Sequence, residues 1–275
     1  MRRIMVRVNK IKIGDGLPLL LIAGPCVVEN EKITLHTAEQ IKIITDDLNI
    51  PFIFKSSYKK ANRTSINSFS GIHFDKALKI LAKVKKEFCV PILTDIHNEN
   101  EIESVVEVAD VLQIPAFLCR QTDLLVCAAR TGKTVNVKEG QFLSPEDMKH
   151  VIEKIESTKN NKILLTERGT TFGYHNLVVD MRSLEIMKGF GYPVIMDATH
   201  AVQLPSSTNV SGGDRRFIPT LAKAAVAVGI DGLFLEVHPE PSKALSDAAS
   251  QLPLSNLKKL LTTIKRIDEV VKNEK

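Results

Sequence analysis

Short apolar runs alternate along the chain with stretches whose apolar residues recur at helical spacing. The runs are Leu19–Cys26, Phe52–Ser57, Val90–Asp95, Val111–Pro115, Thr134–Lys138, Lys162–Glu167, Pro193–His200 and Gly232–His238. Each is rich in Val, Ile, Leu or Phe, the composition of strands buried on both faces, as in a parallel sheet. Helical patterns lie between them at Phe74–Phe88, Asp123–Arg130, Pro145–Ile155, Leu177–Lys188, Phe217–Val228 and Asn256–Val271. Ala77, Leu78, Ile80, Leu81 and Val84 fall on one helical face. Asp123, Ser144 and Ser255 are candidate N-caps. About eight strand–helix units predict an α/β fold, a (β/α)₈ TIM barrel. The alternative is a doubly wound open sheet, which calls for a Gly-rich phosphate turn after an early strand; Ala23-Gly24-Pro25-Cys26 does not supply one.

The opening segment has its own pattern. Ile4, Val6 and Val8 alternate up to Asn9-Lys10, and Ile11 and Ile13 follow. This predicts a β-hairpin within residues 1–16, capping one end of the barrel. No linker, low-complexity tract or internal repeat interrupts 1–275, so one catalytic domain is expected.

Composition narrows the picture. The 275 residues are 44% hydrophobic and 25% charged, with 37 Lys+Arg against 32 Asp+Glu for a net +5. That is an ordinary globular chain, and its length suits a barrel of typically about 250 residues. The basic residues are scattered, aromatics are 5% and Trp is absent, so a nucleic-acid surface is not expected. Four sparse cysteines, Cys26, Cys89, Cys119 and Cys127, form no C-x-x-C pair and predict reduced thiols in a cytoplasm. Arg2 and Arg3 before Leu19–Ala23 imitate a signal peptide, but Asp15, Pro18 and Pro25 spoil the pattern. No segment has the roughly 20 apolar residues of a membrane span.

Each apolar run ends on polar residues: Cys26, Lys55, Asp95, Gln113, Lys138, Glu167-Arg168, His200, and Glu236 with His238. A single such residue marks only the step from strand to loop. Eight in succession place polar groups at the end of a barrel where active sites form. Lys55, Lys60, Arg63, Lys138 and Arg168 suit a ligand carrying carboxylate and phosphate charges. Cys26, His200, Glu236 and Asp247 are a mixed donor set suited to Zn²⁺, Fe²⁺ or Mn²⁺. Their spacing does not distinguish this from a packing cysteine, a core histidine and a capping aspartate. His36, His73 and His150 are expected to face solvent, and Cys89, Cys119 and Cys127 to serve packing.

The segment Phe54-Lys55-Ser56-Ser57-Tyr58-Lys59-Lys60-Ala61-Asn62-Arg63-Thr64-Ser65 resembles the F-K-x-S-x-x-K-A-N-R-[ST]-S segment of the 3-deoxy-D-manno-octulosonate 8-phosphate synthases. The resemblance continues through Thr94-Asp95-Ile96-His97, Gln113-Ile114-Pro115-Ala116-Phe117-Leu118, Arg120-Gln121-Thr122-Asp123-Leu124 and Asn136-Val137-Lys138 with Gln141-Phe142. It ends with Glu167-Arg168-Gly169, Phe172-Gly173-Tyr174, Asp197-Ala198-Thr199-His200, Ser211-Gly212-Gly213 and Glu236-Val237-His238-Pro239, so it covers nearly the whole chain.

What this resemblance implies is specific. The reaction is condensation of phosphoenolpyruvate with D-arabinose 5-phosphate and water, for lipopolysaccharide core biosynthesis. Lys55, Lys60, Lys138 and Arg168 would hold phosphoenolpyruvate. Asn62, Arg63 and Thr64 would hold the sugar phosphate, with Arg120 supplied by a neighbouring subunit of a homotetramer. Ser57 and Gln113 join the substrate site, and Asp95 and His200 join Lys55, Lys60 and Lys138 in catalysis. Cys26 replaces the Asn of the metal-independent branch, and Ser246-Asp247-Ala248 precedes Gln251-Leu252-Pro253. Both features resemble the metal-dependent branch and imply Cys26, His200, Glu236 and Asp247 as ligands of a divalent ion.

Two positions depart from the pattern. Glu139 stands where many relatives have a second Lys, a carboxylate that weakens the anion field unless it points outward. Asp214 is followed by two arginines, Arg215 and Arg216, either of which is a candidate for a loop contact. The rivals are the erythrose 4-phosphate-using synthase of 3-deoxy-D-arabino-heptulosonate 7-phosphate and a non-catalytic sugar-phosphate-binding barrel. The first has Lys-Pro-Arg where this chain has Ala61-Asn62-Arg63; the second calls for a disrupted site, whereas every expected position is filled here.

Overall fold

The computed structural model describes residues 3–14, 16–63, 65–171, 176–204 and 212–274. Eight parallel strands form its centre: β1 Leu20–Gly24, β2 Phe52–Lys55, β3 Ile92–Asp95, β4 Val111–Ile114, β5 Thr134–Lys138, β6 Ile163–Glu167, β7 Val194–Asp197 and β8 Gly232–His238. Each pairs with the next, and β8 pairs with β1 in the register Gly232↔Leu20 to Glu236↔Gly24, which closes the barrel. Closure removes the sheet edges. It also makes the ends of β1 and β8 neighbours although more than 200 residues separate them in the chain.

The outer ring is α1 Glu31–Leu48, α2 Phe74–Phe88, α3 Ile102–Val108, α4 Thr122–Arg130, α5 Met148–Glu156, α6 Met181–Lys188, α7 Ile218–Val228 and α8 Leu254–Asn273. The buried face of α1 is Thr34, Thr37, Ala38, Ile41 and Thr45. Its apolar periodicity is therefore weak. The hydroxyls of those three threonines donate to carbonyls one turn back, which lets the face be buried.

Two expectations about local structure fail. Leu177–Lys188 is not one helix: Leu177–Val178 pairs antiparallel with Thr170–Thr171, and the helix begins only after Asp180, whose side chain caps Arg182 N–H. The β-branched Val178 and Val179 and the capping Asp180 outweigh the apolar spacing. Of the three candidate caps, Ser144 stands at the N-cap position and Asp123 and Ser255 do not. Gln121 rather than Asp123 precedes α4, and Asp123 sits in its first turn, where its charge suits the helix dipole. Ser144 precedes a 3₁₀ turn without a capping bond, and Ser255 lies inside α8.

The N-terminal hairpin forms as expected, with Val6–Val8 paired to Ile11–Ile13 in the register Val6↔Ile13 and Val8↔Ile11. Asn9 takes a positive φ of 51° in the tight turn, a conformation asparagine tolerates. Val6, Val8 and Ile13 pack against Leu20, Ile22, Ile53, Leu93, Val111, Leu164, Ile195 and Phe234, the apolar filling of the barrel. Most of these come from the first half of their strands, so the hairpin plugs the N-terminal end. Arg3 donates to Asp231 at 2.5 Å and Ile4 N–H to the Gly191 carbonyl at 2.7 Å, fixing the plug. The other end stays open, and there the interior turns polar.

Candidate active site

Lys55, Asp95, Gln113 and Lys138 end or nearly end their strands, and all are buried. With Arg168, His200 and Asp247 they line a cavity of about 330 Å³ at the C-terminal mouth of the barrel. Lys60, Asn62 and Arg63 come to it from the loop after β2. Gly24 makes the first of these junctions possible: a Cβ there would meet the Lys55 carbonyl oxygen at 2.0 Å. Only glycine lets β1 and β2 run this close and bring Cys26 beside Lys55.

Below the cavity, paired charges offset the cost of burying ionised groups. Lys55 Nζ donates to Glu236 Oε1 at 2.9 Å and to the Cys26 carbonyl and Ser57 Oγ at 3.2 Å each. Lys60 Nζ reaches the same Glu236 oxygen at 3.4 Å. Burial opposes ionisation of Glu236, but Lys55, Lys60, His200 and Lys138 hold its carboxyl well below the usual range. Burial likewise opposes the Lys60 charge, and the surrounding Cys26, Glu236, Asp95 and Asp247 outweigh it, raising the ammonium well above its ordinary value.

A chain of amides and hydroxyls orients the floor. Ser57 and Gln113 both donate to Asp95, Asn136 Nδ2 donates to Gln113 Oε1 at 2.8 Å, and Thr166 donates to Asn136 Oδ1 at 2.7 Å. On the other wall, Lys138 donates to Asp197 and lies 4.0 Å from the Phe234 ring centroid. Burial lowers the Lys138 pKa, with Asp197 opposing. Arg168 donates through Nη2 to Gln203 at 2.8 Å, while its buried Nη1 has no hydrogen-bond partner among the described residues. A buried guanidinium nitrogen left free beside buried lysines is a receptor for an anion's oxygens.

Cys26, Glu236 and Asp247 each present a donor atom within 4.8 Å of the others. Cys26 Sγ lies 3.3 Å from Asp247 Oδ2, and Glu236 Oε2 is buried without a hydrogen-bond partner among the described residues. Burial pushes the Cys26 thiol up, and the Asp247 and Glu236 carboxylates push it further. Such a set of one soft and two hard donors, with an orphaned carboxylate oxygen, fits a divalent transition metal. The fourth expected ligand stands just beside it. His200 Nε2 is 3.6 Å from Glu236 Oε1, while its Nδ1 lies 2.7 Å from Asp197 Oδ2. Burial lowers the His200 pKa, and a carboxylate on Nδ1 leaves Nε2 with its lone pair facing the group.

The polar strand ends do not all point inward. Glu167 turns out of the barrel, accepting from Gly169 N–H at 2.6 Å and from Ser183. His238 packs under the loop after β8. Arg120 is exposed and outside the lining, and Thr64, Ser211 and Phe172-Gly173-Tyr174 lie outside the described residues. His36, His73 and His150 are exposed as expected; Cys119 and Cys127 pack, but Cys89 is exposed, ending α2 at a positive φ of 52°. Arg215 makes the loop contact, donating to the Ala248 carbonyl at 2.6 Å, whereas Arg216 pairs with Asp214 at the surface. His97, Gln141, Gln203 and Phe117 also line the cavity, and no role was read for them in the sequence. His97, Gln141 and Phe117 lie within motifs already singled out; Gln203 carries no sequence signal. Ser246, named only as part of a motif, was given no role either, although Cys26 Sγ lies 2.9 Å from its Oγ and Arg63 donates to it.

Glu139 is buried away from the cavity, and among the described residues neither carboxyl oxygen has a hydrogen-bond partner. Burial and the nearby Glu167 carboxylate raise its pKa to about 10, so it is neutral at physiological pH and does not weaken the anion site. The unfolded chain releases this proton near the ordinary carboxylate pKa. Between that value and 10 the folded state therefore holds the extra proton, and stability falls as pH rises. The expected contribution is about 1.4 kcal/mol per pH unit. Glu139→Gln should flatten the fall in urea-unfolding free energy between pH 6 and 8.5; an unchanged slope would contradict a buried neutral carboxyl.

The family model described as the DAHP synthetase I family matches residues 3–273. The chain is 56% identical over 261 residues to the 2-dehydro-3-deoxyphosphooctonate aldolase of Dichelobacter nodosus, covering 94% of each. It is 56% identical over 268 residues to the protein of that name in Geobacter metallireducens, covering 97% of this chain and 98% of that one. The corresponding protein of Francisella philomiragia is 52% identical over 270 residues, 98% of each.

Proposed function

The chain belongs to the DAHP synthetase I family, and from that membership and the chemistry of its cavity we propose that it condenses phosphoenolpyruvate with D-arabinose 5-phosphate and water. The products are 3-deoxy-D-manno-octulosonate 8-phosphate, a precursor in lipopolysaccharide core biosynthesis, and inorganic phosphate. The observation that carries the reading is near-full-length identity of 52–56% to relatives bearing the octulosonate name. The cationic cavity is the chemistry such substrates need.

In this reading C3 of phosphoenolpyruvate attacks the aldehyde carbon, and the aldehyde oxygen takes a proton. Water adds at C2 and gives up a proton. The C2–O bond to phosphate then breaks as the new C2 hydroxyl passes its proton to the departing phosphate, leaving a ketone and inorganic phosphate, with no net oxidation. Lys138, Arg168, Lys55 and Lys60 hold the carboxylate and phosphate of phosphoenolpyruvate, Arg168 through its free Nη1. Asn62, Arg63 and Thr64 hold the sugar phosphate. Arg63 now contacts Ser246 and Asp247, so binding would trade that contact for phosphate. Asp95, fixed by Ser57 and Gln113, stands as an ionised acceptor for sugar hydroxyls. Holding both substrates in attack geometry is worth roughly 7–11 kcal/mol of barrier.

Cys26, His200, Glu236 and Asp247 would hold a divalent ion of Zn, Fe or Mn, which supplies Lewis-acid polarisation of the aldehyde or of water. Among the described residues no helix is long and apolar enough to cross a membrane, in keeping with a cytoplasmic enzyme. The exposed Arg120 suits a homotetramer in which it reaches a neighbour's sugar phosphate.

Phosphate release from phosphoenolpyruvate tests the substrate. Arabinose 5-phosphate should be preferred to erythrose 4-phosphate by about 10²-fold or more in kcat/KM, since buried polar groups go unpaired with the wrong sugar. Equal or better turnover of erythrose 4-phosphate would return the chain to the heptulosonate reaction. Release with neither sugar would favour the non-catalytic barrel.

A further inference from the structure

Two buried side chains next to the metal group have no part in the reaction as described. Glu29 follows β1 three residues after Cys26, and His238 ends β8 two residues after Glu236. Both side chains are 3% exposed. His238 Nδ1 accepts the Glu240 N–H at 3.0 Å, so the neutral ring carries its proton on Nε2. Among the described residues that nitrogen has no hydrogen-bond partner, and it faces Glu29 Oε2 at 3.7 Å. The other Glu29 oxygen accepts the Leu245 N–H at 2.9 Å.

Glu29 therefore fastens the loop after β8 in its middle, through the Leu245 N–H, while His238, packed against Glu29, fastens the loop's root through the Glu240 N–H. The next two residues are Ser246 and Asp247, which meet Cys26. Asp247 has a positive φ of 46°, a conformation a non-glycine residue keeps only when its surroundings over-determine it. Gln251 fastens the far side: it accepts the Cys26 N–H at 3.3 Å and donates to the Ser246 carbonyl at 2.8 Å. Between these two fastenings the loop has little freedom.

We propose that Glu29 and His238 are positioning residues for the metal group, locking the loop after β8 so that Asp247 meets Cys26 at one ion. The inference rests on the metal reading above. Outer partners that orient ligands govern metal affinity by about 10–100-fold. Glu29→Ala removes the hold on Leu245 and the carboxylate packed against His238. Glu29→Gln keeps an acceptor for Leu245 and loses only the charge beside His238.

The test is Zn²⁺ affinity of metal-stripped full-length protein, measured by competition with a chromophoric chelator, beside thermal unfolding of the stripped protein. A second readout is the thiolate-to-metal absorption band of the Co²⁺-loaded form. Zinc affinity should fall about 10–100-fold in Glu29→Ala and by less in Glu29→Gln, with the cobalt band altered. Affinity within twofold of wild type, even alongside a lowered unfolding temperature, would reduce Glu29 to a packing role and overturn the proposal. If Glu29→Ala does not fold, Glu29→Gln and His238→Gln decide it by the same criterion. A wild type that takes no zinc removes the metal reading itself and this inference with it.

Discussion

Lys138→Met should lower kcat/KM for phosphoenolpyruvate by about 10²–10³-fold, the usual consequence of removing a preorganised charge from a buried anion site. The ammonium lies at the end of β5, paired with Asp197, 3.2 Å from His200 Nδ1 and over the Phe234 ring. Burial lowers its pKa, and an anionic ligand arriving beside it favours the charged form. Methionine keeps the apolar stem and loses the charge. It also takes the lysine from the fully buried Asp197 carboxylate, which keeps His200 and the Thr199 hydroxyl; breaking a buried ion pair costs about 3–5 kcal/mol. The two consequences separate experimentally. The double variant Lys138→Met, Asp197→Asn should regain much of the urea stability and none of the activity. Lys138→Met within tenfold of wild-type kcat/KM would remove this residue from the substrate site.

Cys26→Ala should bring bound metal per chain close to zero after dialysis, and activity down by about 10³-fold or more, a range that Lewis-acid catalysis can supply. The thiol is held protonated by burial and by two neighbouring carboxylates. An ion entering the group must therefore displace its proton, and uptake should release acid. Chelation of wild type should reproduce the loss, and Zn²⁺ or Mn²⁺ should reverse it there and not in the variant. The alanine variant should stay folded, because Lys55 still pairs with Glu236 and Gln251 still accepts the residue-26 N–H. Full activity in verified metal-free enzyme would overturn the cofactor assignment.

Much of the fold was legible because its strands are buried on both faces. An apolar run such as Ile163–Glu167 can be little other than an interior strand once turns bound it on both sides. The hairpin was legible for the same reason of periodicity, with Asn9 marking its turn. Segment 177–188 misled because three apolar residues at helical spacing also fit a two-residue strand followed by a capped helix. Periodicity over so few positions does not distinguish them. The threonine-lined α1 left little apolar signal, and only its packing shows which face is inner.

By itself the sequence determined the strand order, the polar residue closing each strand and the types of donor present near the mouth. The period of two along a strand was enough to put Lys138 and Glu139 on opposite faces, but not to say which face was the cavity. Barrel closure decided that: Lys138 entered the anion site and Glu139 became a neutral acid buried outside it. Closure also placed Glu236 beside Lys55, and the loop gripped by Glu29 carried Asp247 to Cys26 across 221 residues of chain. Side-chain chemistry is written locally, whereas distance between chain-remote groups depends on how the sheet twists and closes, and no single segment encodes that.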